Sequence, residues 1–335
     1  MVTTAPTPEV IAPRRTTRPL RSIGYRYGVI GVWIVEIILF SILVPHTFLS
    51  AANFTSLLSS QAPLILLALS LVPTLASGEI DLSIAGTMTI SATLTAQLNS
   101  VYGVNIWVAV LAGIAAALVV GIINATLAVY LGVQSIVVTL GMGTLLIGLS
   151  VWISNSLTIS GVSAELSRLV NTQFLGVNTA FYISIAFGLV LWYIYRHTAL
   201  GRRIVFIGKN SEVARLSGLP VRRLKLVSFA STSFLAGLAG IMVIGVAGGL
   251  QPTSLQTLLL PAFAAAFLGT AIIDPGTANP IGTIVAVLFL ATGITGLVLL
   301  GMDSWIRDVF YGAAVVVAVS VSRIAYLSSR RKNRV

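Results

Sequence analysis

Cysteine is absent from the chain and histidine nearly so, with only His46 and His197. That excludes disulfides and thiolate chemistry, and without paired histidines or an HExxH motif a metalloenzyme site is not expected. Charge is equally scarce. Only 9% of residues are charged, where a soluble domain carries about 25%. The nine acids leave no pairing of nucleophile and base, so an enzyme of the membrane interior is disfavoured. A nucleotide cradle is missing too. Gly208-Lys209 is the one Gly-Lys pair, and a P-loop would need glycine at position 203, which is Arg. Gly141-Met142-Gly143 lies within an apolar run and lacks the strand that a dinucleotide fingerprint requires.

What the chain has is apolar sequence: 56% of its 335 residues are hydrophobic and its mean hydropathy is +0.99. Runs near the roughly 20 residues needed to cross a bilayer recur along it, and they are continuous rather than alternating. The fold class is therefore all-α and polytopic, with about ten transmembrane helices. They are expected near 27–45, 56–77, 84–98, 105–131, 135–153, 180–195, 226–247, 258–273, 281–300 and 305–322. A polar tail, 1–27, precedes them. It reads as a cytoplasmic segment rather than a cleaved signal, because no small-residue cleavage site follows. The transmembrane domain spans 28–322, and a second basic tail covers 323–335.

The net charge of +11 would suggest nucleic acid in a soluble protein; here it is topogenic, and no nucleic-acid partner is expected. Of the 20 basic residues, five lie in the first tail, eight in 196–225 and five in the last tail, leaving only Arg168 and Arg307 elsewhere. With ten helices both termini are cytoplasmic, and the loop 154–179 lies outside.

Polar residues inside apolar sequence mark further points. Glu36 is either a polar contact in a pathway or a carboxylate at a helix interface. Asn124 is expected to hydrogen-bond between helices. Gly78-Glu79-Ile80-Asp81-Leu82-Ser83 reads as a helix break, with Gly78 allowing the turn and Asp81 or Ser83 capping the next helix. One acid is then left over, which admits a discontinuous helix lining a pathway. Gly237, Gly240, Gly245 and Gly249 read as a close-packing face. Asp274-Pro275-Gly276 is a turn signal.

The basic loop 196–225 holds a short punctuated helix, Ser211–Ser217. Asn210 or Ser211 caps it, Glu212 suits its positive end, and Gly218 and Pro220 stop it. Val213, Leu216 and Ser217 share one face while Arg215 points elsewhere. Two turns are not stable alone in water, so either the ends of the protein's own helices or a soluble partner must hold them.

Three blocks resemble the ribose/xylose/galactoside-type permease subunits of bacterial ATP-binding-cassette importers. They are Gly78–Ser83; Ser135-Ile136-Val137-Val138-Thr139-Leu140-Gly141; and Thr198–Arg202 with Ile207–Asn210 and Ala214–Gly218. The resemblance extends over about residues 30–322. It implies that the helix made of Asn210, Ser211, Glu212, Val213, Ala214, Arg215, Leu216, Ser217 and Gly218 couples to a cytoplasmic ATPase. That partner binds the ATP, and this chain carries no cofactor. It implies also a second permease subunit, a solute-binding protein outside, and residence in the inner membrane of a bacterium. Gly78, Glu79, Asp81, Ser83, Asn124, Thr139 and Gly141 become signature or pathway candidates. The implied function is import of a monosaccharide-like solute. Branched-chain amino acid or autoinducer import, and an ion-coupled carrier using Glu36, Glu79 or Asp81, are the alternatives. Two departures bear on the solute: Glu79 stands where the family often has glycine, and Gly269–Thr277 lacks the family's glycine-rich turn.

Overall fold

The computed structural model describes residues 21–273 and 276–332, with side chains given from residue 28 to residue 320 save Val319. Fourteen helices account for most of them. They are α1 (Arg21–Leu43), α2 (Pro45–Phe48), α3 (Ala51–Ala76), α4 (Ile84–Ala96), α5 (Ile106–Ala125), α6 (Ser135–Ile153), α7 (Ala164–Asn171), α8 (Thr179–His197), α9 (Ala199–Lys209), α10 (Ser211–Leu216), α11 (Val221–Ala247), α12 (Leu259–Gly269), α13 (Pro280–Leu299) and α14 (Trp305–Lys332). Single π turns, Gln97–Val101 and Thr126–Tyr130, extend α4 and α5, and a 3-10 segment, Pro252–Leu258, leads into α12.

Among the described residues, seven helices are long and apolar enough to cross a membrane. They are α3, α5 with its π turn, α6, α8, α11, α12 with its 3-10 lead, and α13. Gly28–Leu43 is a shorter apolar helix. Side chains set several starts. Ser50 accepts from the Asn53 amide, Asn105 from Trp107, and Asn279 from Ile281, each satisfying an amide that has no partner inside its own helix. Helix α3 runs without interruption through Pro63 and Pro73.

Helix α4 is the interior of the molecule. Every residue but Leu94 is buried, including Thr87, Thr89, Ser91, Thr93 and Thr95, and it packs against α5, α6 and α11. Its apolar and hydroxylated faces are equally enclosed, which is why no amphipathic pattern marks it in the sequence. Helices α5, α6 and α8 wrap outside and turn Leu111, Val119, Val137, Leu145, Leu189 and Val190 outward. Such an apolar exterior is what a hydrocarbon surround favours.

The glycines of α11 do make close contacts, but with three neighbours. A Cβ on Gly237 would meet Ala117, and one on Gly240 would strike the Met88 carbonyl. Gly245 lies against Leu166 and Val170 of α7. Gly249 belongs to a two-residue strand, β4 (Gly249–Leu250), paired with β1 (Ile159–Ser160).

Three expectations need correction. Segment 154–179 is not a plain loop. It contains β1, α7 and a hairpin of β2 (Gln173–Phe174) with β3 (Val177–Asn178). Helix α7 forms because Leu166 and Val170, four apart, bury on α11 while Ser163 accepts from the Glu165 amide. The eighth helix ends at Gly269 rather than 273, since the amides of Thr270, Ala271 and Ile272 bond three residues back instead of four. Of the turn signal that follows, Asp274 and Pro275 lie outside the described residues, while Gly276 has φ +84°. The seventh helix begins at Val221, not Leu226, and takes Arg222, Arg223 and Lys225 out of the basic loop.

Candidate functional site: the junction of the basic segment with the 78–83 turn

Residues 196–225 are helical nearly throughout. Thr198 accepts from the Gly201 amide and starts α9. Gly201 lets α9 fold back on α8, because a Cβ there would collide with the Ile194 carbonyl. On α9, Gly201, Ile204 and Ile207 face inward, while Arg202, Arg203, Phe206 and Lys209 face outward. Sequence reasoning missed this helix because its charges looked like loop; the i, i+3 spacing of 201, 204 and 207 was the available signal.

Helix α10 starts where expected. The Asn210 side chain accepts from the amides of both Glu212 and Val213, at 3.1 and 3.0 Å. Gly218, at φ +79°, ends it, and the Leu219 amide returns to the Ala214 carbonyl. What holds it is Ala214. That residue is fully buried in a small core with Ala76, Ile204, Ile207 and Leu224. So the protein's own helix ends seat one face of α10. Val213 and Leu216 are on the other side, and Leu216 is 81% exposed. Arg215 and Glu212 stay solvated, 3.9 Å apart; such a pair contributes little.

The 78–83 turn lies directly against this assembly. Gly78 has φ +82°. A Cβ there would press on the Gly208 carbonyl at 3.2 Å, and one on Gly208 would collide with the Ala76 carbonyl. The end of α9 and the end of α3 therefore touch backbone to backbone. We expect Gly208→Ala to destabilise the protein by about 1–3 kcal/mol in detergent thermal unfolding. Gly141→Ala, where an added Cβ meets nothing within 4 Å, is expected to stay within about 0.5 kcal/mol.

The rest of the turn is tied from three sides. Asp81 is fully buried, and its Oδ1 accepts from the Ser83 amide at 2.8 Å and the Ser83 hydroxyl at 2.6 Å. Asn124 of α5 donates to Ser83 Oγ at 2.8 Å. Thr139 of α6 accepts from the Leu82 amide at 2.9 Å and donates to the Ser135 carbonyl. Asp81 thus orders the first turn of α4, whereas the Ser83 hydroxyl accepts from no helix amide. Burial pushes the Asp81 carboxyl up to about 6, against the lowering effect of its two Ser83 bonds. The Asp81 Oδ2 and Asn124 Oδ1 atoms are buried without a protein partner.

Of the candidates, Gly78, Asp81, Ser83, Asn124 and Thr139 come together. Gly141 does not; it is exposed on α6, and Gly143 is the glycine whose Cβ would lie 3.3 Å from Ser83 Cα and the Leu82 carbonyl. Glu79 is not a spare acid: it is ion-paired with Lys225 of α11 at 2.5 Å. Nothing local to either residue announces a pair 146 positions apart. Glu36 sits between α1 and α13 with its Oε1 over Gly293, beside a bond from Trp33 to Thr292. That is the helix-interface alternative.

Residues 53–319 match the family described as "Branched-chain amino acid transport system / permease component". The chain belongs to this family. It is a membrane permease, of a class that moves solutes rather than transforming them. Curated relatives cover nearly its whole length. The L-arabinose ABC transporter permease protein of Azospirillum brasilense is 28% identical over 94% of this chain and 93% of its own. The ribose import permease protein of Escherichia coli K12 is 29% identical over 86% and 90%. The autoinducer 2 import system permease protein of Photorhabdus laumondii is 29% identical over 89% and 92%. The permease thus keeps a polar turn, a buried carboxylate and a cluster of short basic helices in one place.

Proposed function

We propose that this permease is the membrane subunit of an ATP-binding-cassette importer for a monosaccharide-like solute. Helix α10 is the contact for a separate cytoplasmic ATPase, a solute-binding protein delivers the solute on the opposite face, and a second permease subunit completes the pathway. The observation that carries this is the split character of α10. A two-turn helix, held inside by Ala214 alone, leaves Val213 and Leu216 uncovered at the end of a basic segment. Ten crossings complete the topology: the seven long apolar helices together with α1, α4 and α14. Helix α4 and its π turn cover 84–101, about 27 Å at helical rise, close to the bilayer core. Both termini then lie in the cytoplasm with the three basic segments, as the positive-inside rule requires, and the protein resides in a bacterial inner membrane.

The names of the arabinose and ribose relatives favour a sugar, and the autoinducer relative extends the class to related compounds. The family's description favours the second reading, branched-chain amino acids. Against an ion-coupled carrier stand the ion pairing of Glu79 and the interfacial position of Glu36. The test is uptake into proteoliposomes. Transport is expected only when a cognate ATPase and a cognate solute-binding protein are both present. Uptake by the permease alone on a proton gradient would overturn the proposal. Thermal-shift screening of the binding protein against pentoses, hexoses and leucine decides the solute class.

A further inference from the structure

We infer that the Glu79–Lys225 ion pair is a strut that transmits movement between α10 and the 78–83 turn. The inference rests on the reading of α10 as the ATPase contact. The pair joins two elements far apart in the chain. Lys225 Nζ stands 2.5 Å from Glu79 Oε1, and the two side chains are only 19% and 17% exposed. Water therefore screens this pair less than a surface one.

Each end of the strut is anchored. Lys225 is the fifth residue of α11, next to Leu224, which shares the small core with Ala214 of α10. Only Ser217–Pro220 separate α10 from α11, and amides of that link return to the Arg215 and Ala214 carbonyls. A displacement of α10 therefore carries the start of α11 with it. At the other end, the Glu79 amide bonds the Thr74 carbonyl at the end of α3. Two residues later Asp81 organises the start of α4, and Leu82 and Ser83 reach α6 and α5.

Two other contacts run in parallel with the strut at the turn, and both are of the kind that pushes, while farther along α11 a single hydrogen bond of 3.3 Å joins Thr232 to Thr74. One is the apolar core around Ala214. The other is the backbone contact of Gly208 with Ala76 and Gly78. Van der Waals contact resists compression, but it forfeits much of its attraction once a gap of about 1 Å opens. An ion pair in a partly desolvated place still attracts across several ångströms, because Coulomb energy falls only as the inverse of distance. The strut is thus the contact suited to pulling the turn when α10 moves away. Glu79 and Lys225 are positioning residues: each acts through the element that carries it.

The test uses the complete importer in proteoliposomes, with solute uptake and ATP hydrolysis measured on the same preparation. E79Q and K225M are each expected to raise the ATP hydrolysed per solute moved by about fivefold or more, the lower range of coupling between sites. The double variant E79Q/K225M separates transmission from mere stability, because it leaves no unpaired charge. A strut keeps it uncoupled at wild-type melting temperature, and the reversed pair E79K/K225E brings the ratio back to within about twofold of wild type. Wild-type coupling in E79Q/K225M, or no recovery in the reversed pair, overturns the inference. Leu216→Asp keeps the two readings apart. If that variant still co-purifies with the ATPase, the reading of α10 fails. If it loses the ATPase while E79Q/K225M stays coupled, only the strut fails.

Discussion

Leu216→Asp is expected to reduce solute uptake by about thirtyfold or more while the purified permease melts at its normal temperature. Leu216 is 81% exposed and Ala214, two residues before it, is fully buried. The substitution therefore places a charge in water and disturbs no internal contact, and a surface change of this kind costs within about 0.5 kcal/mol of fold stability. If the face carrying Val213 and Leu216 enters a partner, the same aspartate must be desolvated on binding. A central apolar residue of an interface is worth about 2 kcal/mol or more when lost, and a buried unpaired carboxylate adds to that. A loss of about 2 kcal/mol is about thirtyfold in binding. Pull-down of the ATPase and initial uptake rates measure it. Wild-type uptake in Leu216→Asp would mean that α10 meets no partner through this face. Ala214→Leu is the control in the other direction: it should lower the melting temperature, because the small core with Ala76, Ile204, Ile207 and Leu224 has no room for a larger side chain.

Asp81→Ala is expected to destabilise the protein by about 3 kcal/mol or more. The change leaves the Ser83 amide and hydroxyl without their acceptor in a fully buried place, and Asn124 is bonded to that same hydroxyl. Each buried donor left unsatisfied costs about 1–3 kcal/mol. Asp81→Asn retains an acceptor oxygen and should cost less. The carboxylate also has a pH signature. Its folded value of about 6 lies above the ordinary 3.8, so the folded state holds the proton more tightly than the unfolded chain. The contribution of this group to stability is therefore complete below about pH 3.8 and is lost as pH rises through about 6. Subtracting the stability–pH curve of Asp81→Asn from that of wild type isolates this fall. A difference curve flat from about pH 4 to 7 would mean that the carboxylate is not buried as described.

Local chemistry was readable from residues alone. Helix α6 runs from Ser135 to Ile153 as the apolar run between Gly132 and the polar Ser154 suggests. Helix α10 lies between Asn210 and Gly218, because a double-accepting asparagine and a left-handed glycine are local devices. Helices α7 and α9 were less legible. Each is short and carries charge, and each becomes a helix by burying two or three residues on something remote: Leu166 and Val170 on α11, Ile204 and Ile207 beside Ala76. The signature turn shows the same division. That Gly78 turns the chain follows from the residue itself. That Gly143 rather than Gly141 lies beneath it depends on which side of α6 faces inward, and this is the side of Ser135, Thr139, Gly143 and Ser150.

By itself, then, the sequence determined a polytopic helical membrane protein and the short capped helix within the longest of its basic segments. These follow from hydropathy, charge and caps, all of which act within a few residues. Only the tertiary structure decided that Ala214 is the seat of α10 and Leu216 its free edge, that Glu79 answers Lys225, and that Asp81, Asn124 and Thr139 meet around one turn. Those facts join residues tens to well over a hundred positions apart. They depend on how α4 is enclosed by α5, α6 and α11, and no local pattern encodes the packing of a helix that is buried on every side.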